Sequence, residues 1–171
     1  IVLCSEENYL GPQETYTKKQ AIATADRTPL TQLADPYNMV LLYSNLYLDE
    51  NIQLICHIVP EIKKFIFIGD ARQINQTNNL DIRNKLKKTH PNVEYQFITP
   101  QDMTTNQLLD SLYFVDPKTT GVLFSSWFYK TTFAGNTSLV SNAHKLIGTT
   151  AAPIFTLNMA DITEENGGMI G

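Results

Sequence analysis

Short apolar runs alternate with longer amphipathic stretches from about residue 38 onward. The runs are rich in β-branched or aromatic residues and too short to be helices, so they are predicted to be strands. Their near-continuous apolarity is typical of strands buried on both faces, and the alternation is typical of βαβ units with a mostly parallel sheet. The predicted strands are 39–43, 65–68, 93–98, 122–124 and 154–157, with one more at residues 1–4.

The stretches between these strands carry helix signals. Leu48, Ile52, Ile55 and Val59 recur at steps of four, three and four, which gives one apolar stripe on a helix. Thr104 or Thr105 can cap a later helix that ends before Pro117. The segment 77–89 has a weakly apolar face, which predicts an exposed helix. The predicted helices are 48–59, 77–89, 104–116 and 137–147.

Residues 5–37 differ from the rest, because Gly-Pro, Thr-Pro and Asp-Pro pairs interrupt them. They are predicted to be a surface excursion with one short helical patch at residues 18–25. The chain opens within a strand and closes on the glycine-rich residues 167–171, so we expect a piece excised from a longer protein.

Composition narrows the class of protein. The chain has 171 residues, 43% of them hydrophobic and 18% charged, which predicts a folded domain with its own core. The formal net charge is −4, and no basic cluster is longer than a pair such as Lys87-Lys88. A protein that neutralises phosphates needs more positive charge, so nucleic acid is excluded as the expected partner.

Candidate binding residues follow the predicted strands, since ligands of parallel sheets bind outside the carboxyl ends of the strands. Asp70, Ser125, Ser126 and Asp161 can form hydrogen bonds there, and Trp127 offers a stacking surface. Together they predict a pocket for a small polar ligand. The alternative is that they are ordinary loop residues that cap the following helices.

Signals for catalysis and for cofactors are weak. His57, His90 and His144 lack a metal-ligand spacing, and no nucleophile elbow, phosphate loop or dinucleotide fingerprint is present. No cofactor and no metal are therefore expected. Cys4 and Cys56 leave a disulfide open, but their spacing excludes a CxxC motif.

Three segments carry a family resemblance. They are residues 1–9, ending in Asn8-Tyr9; residues 51–70, with a Pro-x-x-Lys turn and a closing Gly-Asp; and residues 152–156, followed by Asp161 and the glycines of 167–171. In this order they resemble substrate-binding-protein-like sensor regions with the type 1 periplasmic-binding fold. The resemblance covers residues 1–9 and 38–171.

The resemblance implies an α/β fold with three α/β/α layers and a mostly parallel sheet. Residues 1–44 would be the end of a first lobe with its crossover, and 45–171 a second lobe. It implies a ligand cleft lined by Asn8 and Tyr9 on one side. The other side would carry Asp70, Ser125, Ser126, Trp127 and Asp161.

The implied function is ligand sensing in a bacterial two-component histidine kinase. The chain would be the periplasmic part of an inner-membrane receptor, not an enzyme, and its partners would be a small molecule and the missing first-lobe sequence, with a homodimer left open. One alternative is the substrate-binding protein of an ABC transporter. Another is a cytoplasmic α/β enzyme of unrecognised type, with Ser125 or Ser126 as nucleophile.

Overall fold

The structure is a computed structural model, and it describes residues 2–5, 7–43, 46–130, 137–139, 150 and 152–157. A 3-10 turn occupies Thr24–Asp26. The elements in chain order are β1 (Val2–Ser5), β2 (Tyr9–Leu10), α1 (Gln13–Thr17), β3 (Thr28–Pro29), α2 (Thr31–Tyr37), β4 (Val40–Tyr43), α3 (Leu48–Ile58), β5 (Lys64–Ile68), α4 (Gln73–Thr89), β6 (Glu94–Ile98), α5 (Thr105–Tyr113), β7 (Thr120–Phe124), β8 (Phe128–Lys130), β9 (Thr137–Leu139) and β10 (Ile154–Thr156).

The centre of the fold is a four-stranded sheet in the order β10-β7-β5-β6, with every neighbouring pair parallel. Successive side chains of a strand point to opposite faces. Ile66 and Ile68 pack with α5 on one face, whereas Phe65 and Phe67 pack with α3 and α4 on the other. The prediction of an α/β fold with a mostly parallel sheet is confirmed, and the described elements are compatible with three layers.

Two helices form where the sequence predicts them. The side chains of Ile52 and Ile55 in α3 are almost fully buried against the sheet, and that of Val59, directly after the helix, is also buried. The side-chain oxygen of Thr104 accepts a hydrogen bond from the backbone of Gln107 at 3.3 Å, and the Gln107 side chain accepts one from the backbone of Thr104 at 2.9 Å. This capping box satisfies two backbone donors at the start of α5.

Helix α4 departs from the prediction in length and exposure. It begins at Gln73 and not at residue 77, and it is not an exposed helix. Ile82 and Leu86 pack against the sheet, while the polar Thr77 and Asn78 are also buried. The Thr77 hydroxyl finds its partner in a second chain segment, residues 7–39, which packs along the helix. We call residues 7–39 the docked segment.

The docked segment corrects the prediction of a surface excursion. Ile22 and Leu30 are 0% and 1% exposed. The backbone N–H of Ile22 donates to the Thr77 hydroxyl at 3.0 Å, and Arg27 donates to the Asp81 carboxylate at 2.7 Å. The segment is therefore fastened along α4 by apolar and polar contacts.

The helical patch predicted at residues 18–25 is also wrong. Helix α1 ends at Thr17, and Lys19 has a φ of 52°. A left-handed residue cannot continue a right-handed helix. Helical backbone returns only in the 3-10 turn at Thr24–Asp26.

A second parallel pair is formed by β1 and β4, which pair Val2 with Val40 and Cys4 with Leu42. Both strands match predicted runs, but their apolar side chains are largely exposed. Cys4 and Cys56 are both free, so the structure forms no disulfide between them.

The predicted helix at 137–147 is wrong at its start. Thr137–Leu139 is strand β9, which pairs antiparallel with Phe128–Lys130. Aromatic and β-branched residues favour such a pair. Residues 140–147 of the predicted helix lie outside the described residues.

Candidate functional site

The strand order places a crevice at the carboxyl ends of the strands in the four-stranded sheet. The chain leaves β5 through α4 to reach β6 on one side, and then crosses through α5 to β7 on the other side of β5. Such a reversal opens a crevice outside the carboxyl ends of the two strands that flank it, here β5 and β7. Asp70 follows β5 and Ser126 follows β7, so the topology brings these two predicted residues together.

Asp70, Arg72, Asn75 and Ser126 form a hydrogen-bonded group that we call the Asp70 cluster. The Ser126 hydroxyl donates to Asp70 Oδ2 at 2.8 Å, and Asn75 Nδ2 donates to Asp70 Oδ1 at 2.9 Å and to Ser126 Oγ at 2.8 Å. Arg72 donates its backbone N–H to Oδ1 at 2.8 Å and its Nε–H to Oδ2 at 3.0 Å. The carboxylate of Asp70, 2% exposed, is thus surrounded by donors.

The Asp70 cluster fixes the start of α4 on the sheet. The Asn75 amide must turn its nitrogen toward Asp70, because the opposite orientation would set two acceptors against each other. Its Oδ1 then has no hydrogen-bond partner in the described structure. A Cβ on Gly69 would lie 3.1 Å from Asn75 Cγ, so glycine allows the amide to pack on the strand end. This arrangement is that of an anchor for a helix.

Ser125 and Trp127 point to other roles. The backbone N–H of Ser125 donates to the Ile68 carbonyl at 2.9 Å, which continues the pairing of β5 with β7. Trp127 is 3% exposed, and its Nε1–H donates to the Thr105 hydroxyl at 3.0 Å. It lines a cavity of about 600 Å³ with Pro100, Met103 and other residues at the start of α5.

A larger cavity, of about 750 Å³, lies along α4, and we call it the α4 groove. One wall comes from the docked segment and β4, and the other from α3 and α4. The described residues that line it are Glu7, Asn8, Tyr9, Thr24, Tyr43, Leu46, Tyr47, Leu48, Asp49, Glu50, Asn78, Asp81, Asn84, Lys85, Lys88 and Thr89. The groove therefore lies where the two predicted lobes, 1–44 and 45–171, meet.

Asn8 and Tyr9 face α4 in this groove, which is lined by neither Asp70 nor Trp127 among the described residues. The Tyr9 hydroxyl donates to Glu7 Oε1 at 2.8 Å, and the Arg27 guanidinium lies 4.7 Å from the centre of the Tyr9 ring. Burial, followed by the hydrogen bond to Glu7, raises the pKa of Tyr9 far above its usual value. Tyr9 therefore remains a neutral hydrogen-bond donor at physiological pH.

Most carboxylates of the α4 groove are already engaged. Asp81 accepts from Arg27, and Asp49 accepts from Lys85 Nζ at 2.7 Å. Glu7 accepts from Tyr9. Because each of these has a donor, the groove offers few free charges to a ligand.

Asn78 is the most unusual polar residue of the groove. It is 5% exposed, and its side chain makes no hydrogen bond to any residue that the structure describes. Among the described residues the fully buried side-chain atom without a partner is Asn75 Oδ1, so the amide atoms of Asn78 keep contact with solvent in the groove. Its amide therefore offers a donor and an acceptor that the fold does not use.

Tyr47 begins α3 at the edge of the same groove with φ 43° and ψ 42°. A non-glycine residue in this left-handed region costs about 1–3 kcal/mol, and such residues cluster at functional sites. The carbonyl of Tyr47 accepts from the backbone and the side chain of Asn51, both at 2.9 Å, and these bonds hold the conformation.

The structure thus divides the predicted site residues among several places. Asp70 and Ser126 meet in the Asp70 cluster, Trp127 lines the smaller cavity, and Asn8 and Tyr9 line the α4 groove. Asp161 lies outside the described residues. Asn75 and Asn78 were not predicted as site residues, although the run of amide residues within an amphipathic segment was a signal for them.

Comparisons with protein-family models, with curated proteins and with solved structures find no match to this chain. In the part of the chain that the structure describes, no helix is both long and apolar enough to cross a membrane. The same residues contain no group of three or more His, Cys, Asp or Glu side chains arranged to hold a metal ion.

Proposed function

We propose that the chain is a ligand-sensing module that binds a small polar molecule in the α4 groove. The observation that carries the proposal is the groove itself, about 750 Å³ in volume, with walls from both sides of the predicted lobe boundary. Small-molecule sites in proteins are typically clefts of about 300–1,000 Å³ that contain a few polar groups. The unpaired amide of Asn78 adds a group that a ligand would satisfy.

For the groove to act as a sensor, ligand binding would have to change the distance between the docked segment and α4. A ligand that contacts Asn8 on the docked segment and Asn78 on α4 would favour the arrangement in which the walls are close. A ligand shifts such an equilibrium only by its differential affinity for the two arrangements. The Asp70 cluster would meanwhile keep the start of α4 fixed on the sheet.

The wider proposal places this module in the extracytoplasmic part of a bacterial two-component receptor. Its support is the resemblance in the order of segments to periplasmic-binding-fold sensors, together with the parallel α/β architecture. The complete reading frame of the parent protein tests it. A histidine-kinase region after this domain would support the proposal, whereas a lipid-attachment cysteine before it would favour a transporter component.

Binding in the groove is tested by thermal unfolding of this chain against a panel of small metabolites. A ligand present at about 100 times its Kd stabilises the native state by about 2.7 kcal/mol, and each kcal/mol raises the Tm by about 2–4 °C for a chain of this size. We expect at least one compound to raise the Tm by about 5 °C or more. A complete lack of response would overturn the proposal.

A matched pair of variants locates the site. Asn84 and Asn106 are both exposed helix residues, but Asn84 lines the α4 groove and Asn106 lines the cavity beside Trp127. We expect Asn84→Trp to fill the groove and weaken binding at least tenfold, while Asn106→Trp leaves affinity unchanged. The reverse pattern would move the ligand to the smaller cavity and contradict the proposal.

A further inference from the structure

Strand β6 forms one edge of the four-stranded sheet, because β5 is its only neighbour among the described strands. The backbone N–H of Glu94 and the carbonyl of Ile98 bond to the residues that flank β5, at 2.8 and 3.1 Å. Alternate residues of a strand direct their backbone groups to the same side, so those of Tyr95 and Phe97 point away from β5. They leave two donors and two acceptors unpaired along the described edge.

Local hydrogen bonds close both ends of this edge. The backbone N–H of Val93 donates to the His90 carbonyl at 3.0 Å, and that of Thr99 donates to Asp102 Oδ2 at 2.9 Å. An unpaired strand edge is a template for pairing with another chain. The edge between these two bonds is therefore open to a short extended segment.

A cavity of about 380 Å³ lies beside the edge, between β6 and the last two turns of α4, and we call it the edge cavity. Its apolar lining comes from Leu86, Pro91, Val93 and Tyr95, and its basic lining from Arg83, Lys87 and His90. The charge of Arg83 acts on the Tyr95 hydroxyl, where it opposes the rise in the Tyr95 pKa that burial causes. The strand edge and the basic side chains thus lie together.

Two basic side chains of the edge cavity have no acidic partner. Arg83 and Lys87 form no ion pair with any carboxylate that the structure describes, whereas Lys85 on the same helix pairs with Asp49 at 2.7 Å. Like charges four residues apart disfavour a helix. The negative pole of α4 favours cations in its last turn, which accounts for Lys87 but not for Arg83. The fold alone therefore does not explain this pair of cations.

From these observations we infer that the β6 edge binds an extended acidic segment of another protein, which adds a strand to the sheet and places carboxylates against Arg83 and Lys87. Backbone hydrogen bonds to Tyr95 and Phe97 supply affinity, and the edge cavity supplies specificity for alternate side chains. Successive side chains of a strand face opposite sides of the sheet, so every second residue of the segment is acidic and faces α4. No described residue lines both the edge cavity and the α4 groove, so this site is independent of the proposed function.

A second copy of the chain fits this edge less well. Antiparallel pairing of two β6 edges about a two-fold axis would keep both α4 helices on one face of a continuous sheet. Arg83 and Lys87 of each copy would then approach the same side chains of the other. Like charges across an interface disfavour association, so charge favours an acidic partner over a second copy.

Fluorescence anisotropy of labelled peptides tests the inference on the 171-residue chain. The acidic probe is a fluorescein-labelled heptapeptide in which glutamate alternates with valine, and the basic probe has lysine in place of each glutamate. We expect saturable binding of the acidic probe only. Arg83→Gln combined with Lys87→Gln should weaken it about tenfold, because each ion pair at an exposed position contributes modestly. Lys18→Gln combined with Lys118→Gln removes the same charge at exposed positions outside β6 and α4 and should leave the affinity unchanged.

N-methylated probes separate strand addition from charge attraction. Methylating the glutamates removes the backbone donors along one edge of the extended probe, and methylating the valines removes those along the other edge. If the probe adds to β6, one methylated probe loses binding and the other keeps it. Hydrogen exchange of the Tyr95 and Phe97 amides should also slow in the complex.

Several outcomes would overturn the inference. The absence of saturable binding, equal binding of the acidic and basic probes, or an unchanged affinity in the Arg83 and Lys87 double variant would each do so. Equal effects of the two methylations would show that charge alone attracts the probe. Self-association of the chain in competition with the probe would assign the edge to a second copy.

Discussion

The described residues form two parallel sheets, both with apolar strands but with opposite surroundings. In the four-stranded sheet, Phe65, Phe67 and Leu123 are all 0% exposed, with helices against the sheet. In the two-stranded sheet, Val2, Val40 and Leu42 are 62%, 58% and 56% exposed. Parallel strands are normally covered on both faces, and a two-stranded sheet is marginal by itself.

The difference shows that an apolar run in the sequence predicts a strand, but it does not predict whether helices pack over that strand. The exposed side chains of β1 and β4 share one face, because the register pairs Val2 with Val40 and Cys4 with Leu42. Under the proposed function, the rest of the first lobe would cover this face.

The largest expected effect comes from one matched truncation in each sheet. Phe67→Ala leaves a cavity between α4 and the sheet and should lower the free energy of unfolding by about 3–5 kcal/mol. Leu42→Ala removes a side chain that is 56% exposed and should change it by less than about 0.5 kcal/mol. Urea unfolding followed by circular dichroism measures both. Similar losses for the two variants would mean that β4 is covered in solution.

Overpacking the central sheet should have the next largest effect. A Cβ on Gly121, in β7, would overlap Cγ2 of Ile55 on α3. Ile55 is β-branched and buried, so it cannot move aside easily. We expect Gly121→Ala to cost about 1–3 kcal/mol.

A double-mutant cycle checks the cause of that cost. Ile55→Ala removes the obstructing methyl, so the double variant should lose less stability than the sum of the two single variants. Strict additivity would show that Gly121 is needed for its backbone and not for its close approach to α3.

The sequence predicts every strand of the four-stranded sheet, because each falls on a short run rich in β-branched or aromatic residues. It placed Asp70 and Ser126 at one edge for the same reason, since parallel strands end together. It misjudged the docked segment, because the partners of Ile22 and Arg27 are Thr77 and Asp81, which lie about 55 residues further along the chain. Hydrophobic periodicity reports local structure and carries no signal for polar contacts across such a separation.

The α4 groove could not be predicted from the sequence, for a related reason. Its two walls come from segments whose docking was not predicted, so Asn8 and Tyr9 were assigned to a cleft with Asp70 and not to a groove with Asn78. The strand at Thr137–Leu139 was missed because its neighbours in sequence have helical spacing, and the pairing with β8 overrides that preference.

The attachment of the docked segment to α4 predicts a smaller, localised effect on stability. Arg27 donates to Asp81 and to the carbonyl of Ile22, and it lies over the Tyr9 ring. Arg27→Met should lower stability by about 1–2 kcal/mol, because Asp81 loses its partner. Hydrogen exchange should accelerate in residues 7–39 and stay slow in β5 and β7.

An exposed ion pair of the same segment is the control. Lys18 and Glu14 pair at 3.1 Å with side chains that are 59% and 69% exposed, so Lys18→Met should change stability by less than about 0.5 kcal/mol. Uniform acceleration of exchange across both regions in Arg27→Met would show that the docked segment and the central sheet unfold as one unit.

The smallest effect on stability appears only at alkaline pH. It involves one tyrosine from the docked segment and one from the four-stranded sheet. Burial raises the pKa of Tyr9 in the docked segment and of Tyr95 in β6 above the usual value near 10. Each folded tyrosine therefore holds its proton more tightly than the unfolded chain does. Their contribution to stability is complete below the unfolded pKa and is lost as pH rises from there toward the folded pKa.

Tyr9→Phe and Tyr95→Phe separate the two contributions. Each variant loses a hydrogen bond at neutral pH, to Glu7 and to Asn79 respectively, so the slope of stability against pH is compared and not its absolute value. Both variants should show a shallower decline above pH 10, measured by urea unfolding in a pH series. If only Tyr95→Phe does so, the docked segment has already separated from α4 at that pH. In that case the docked segment is less stable than the four-stranded sheet, as well as less covered by other elements.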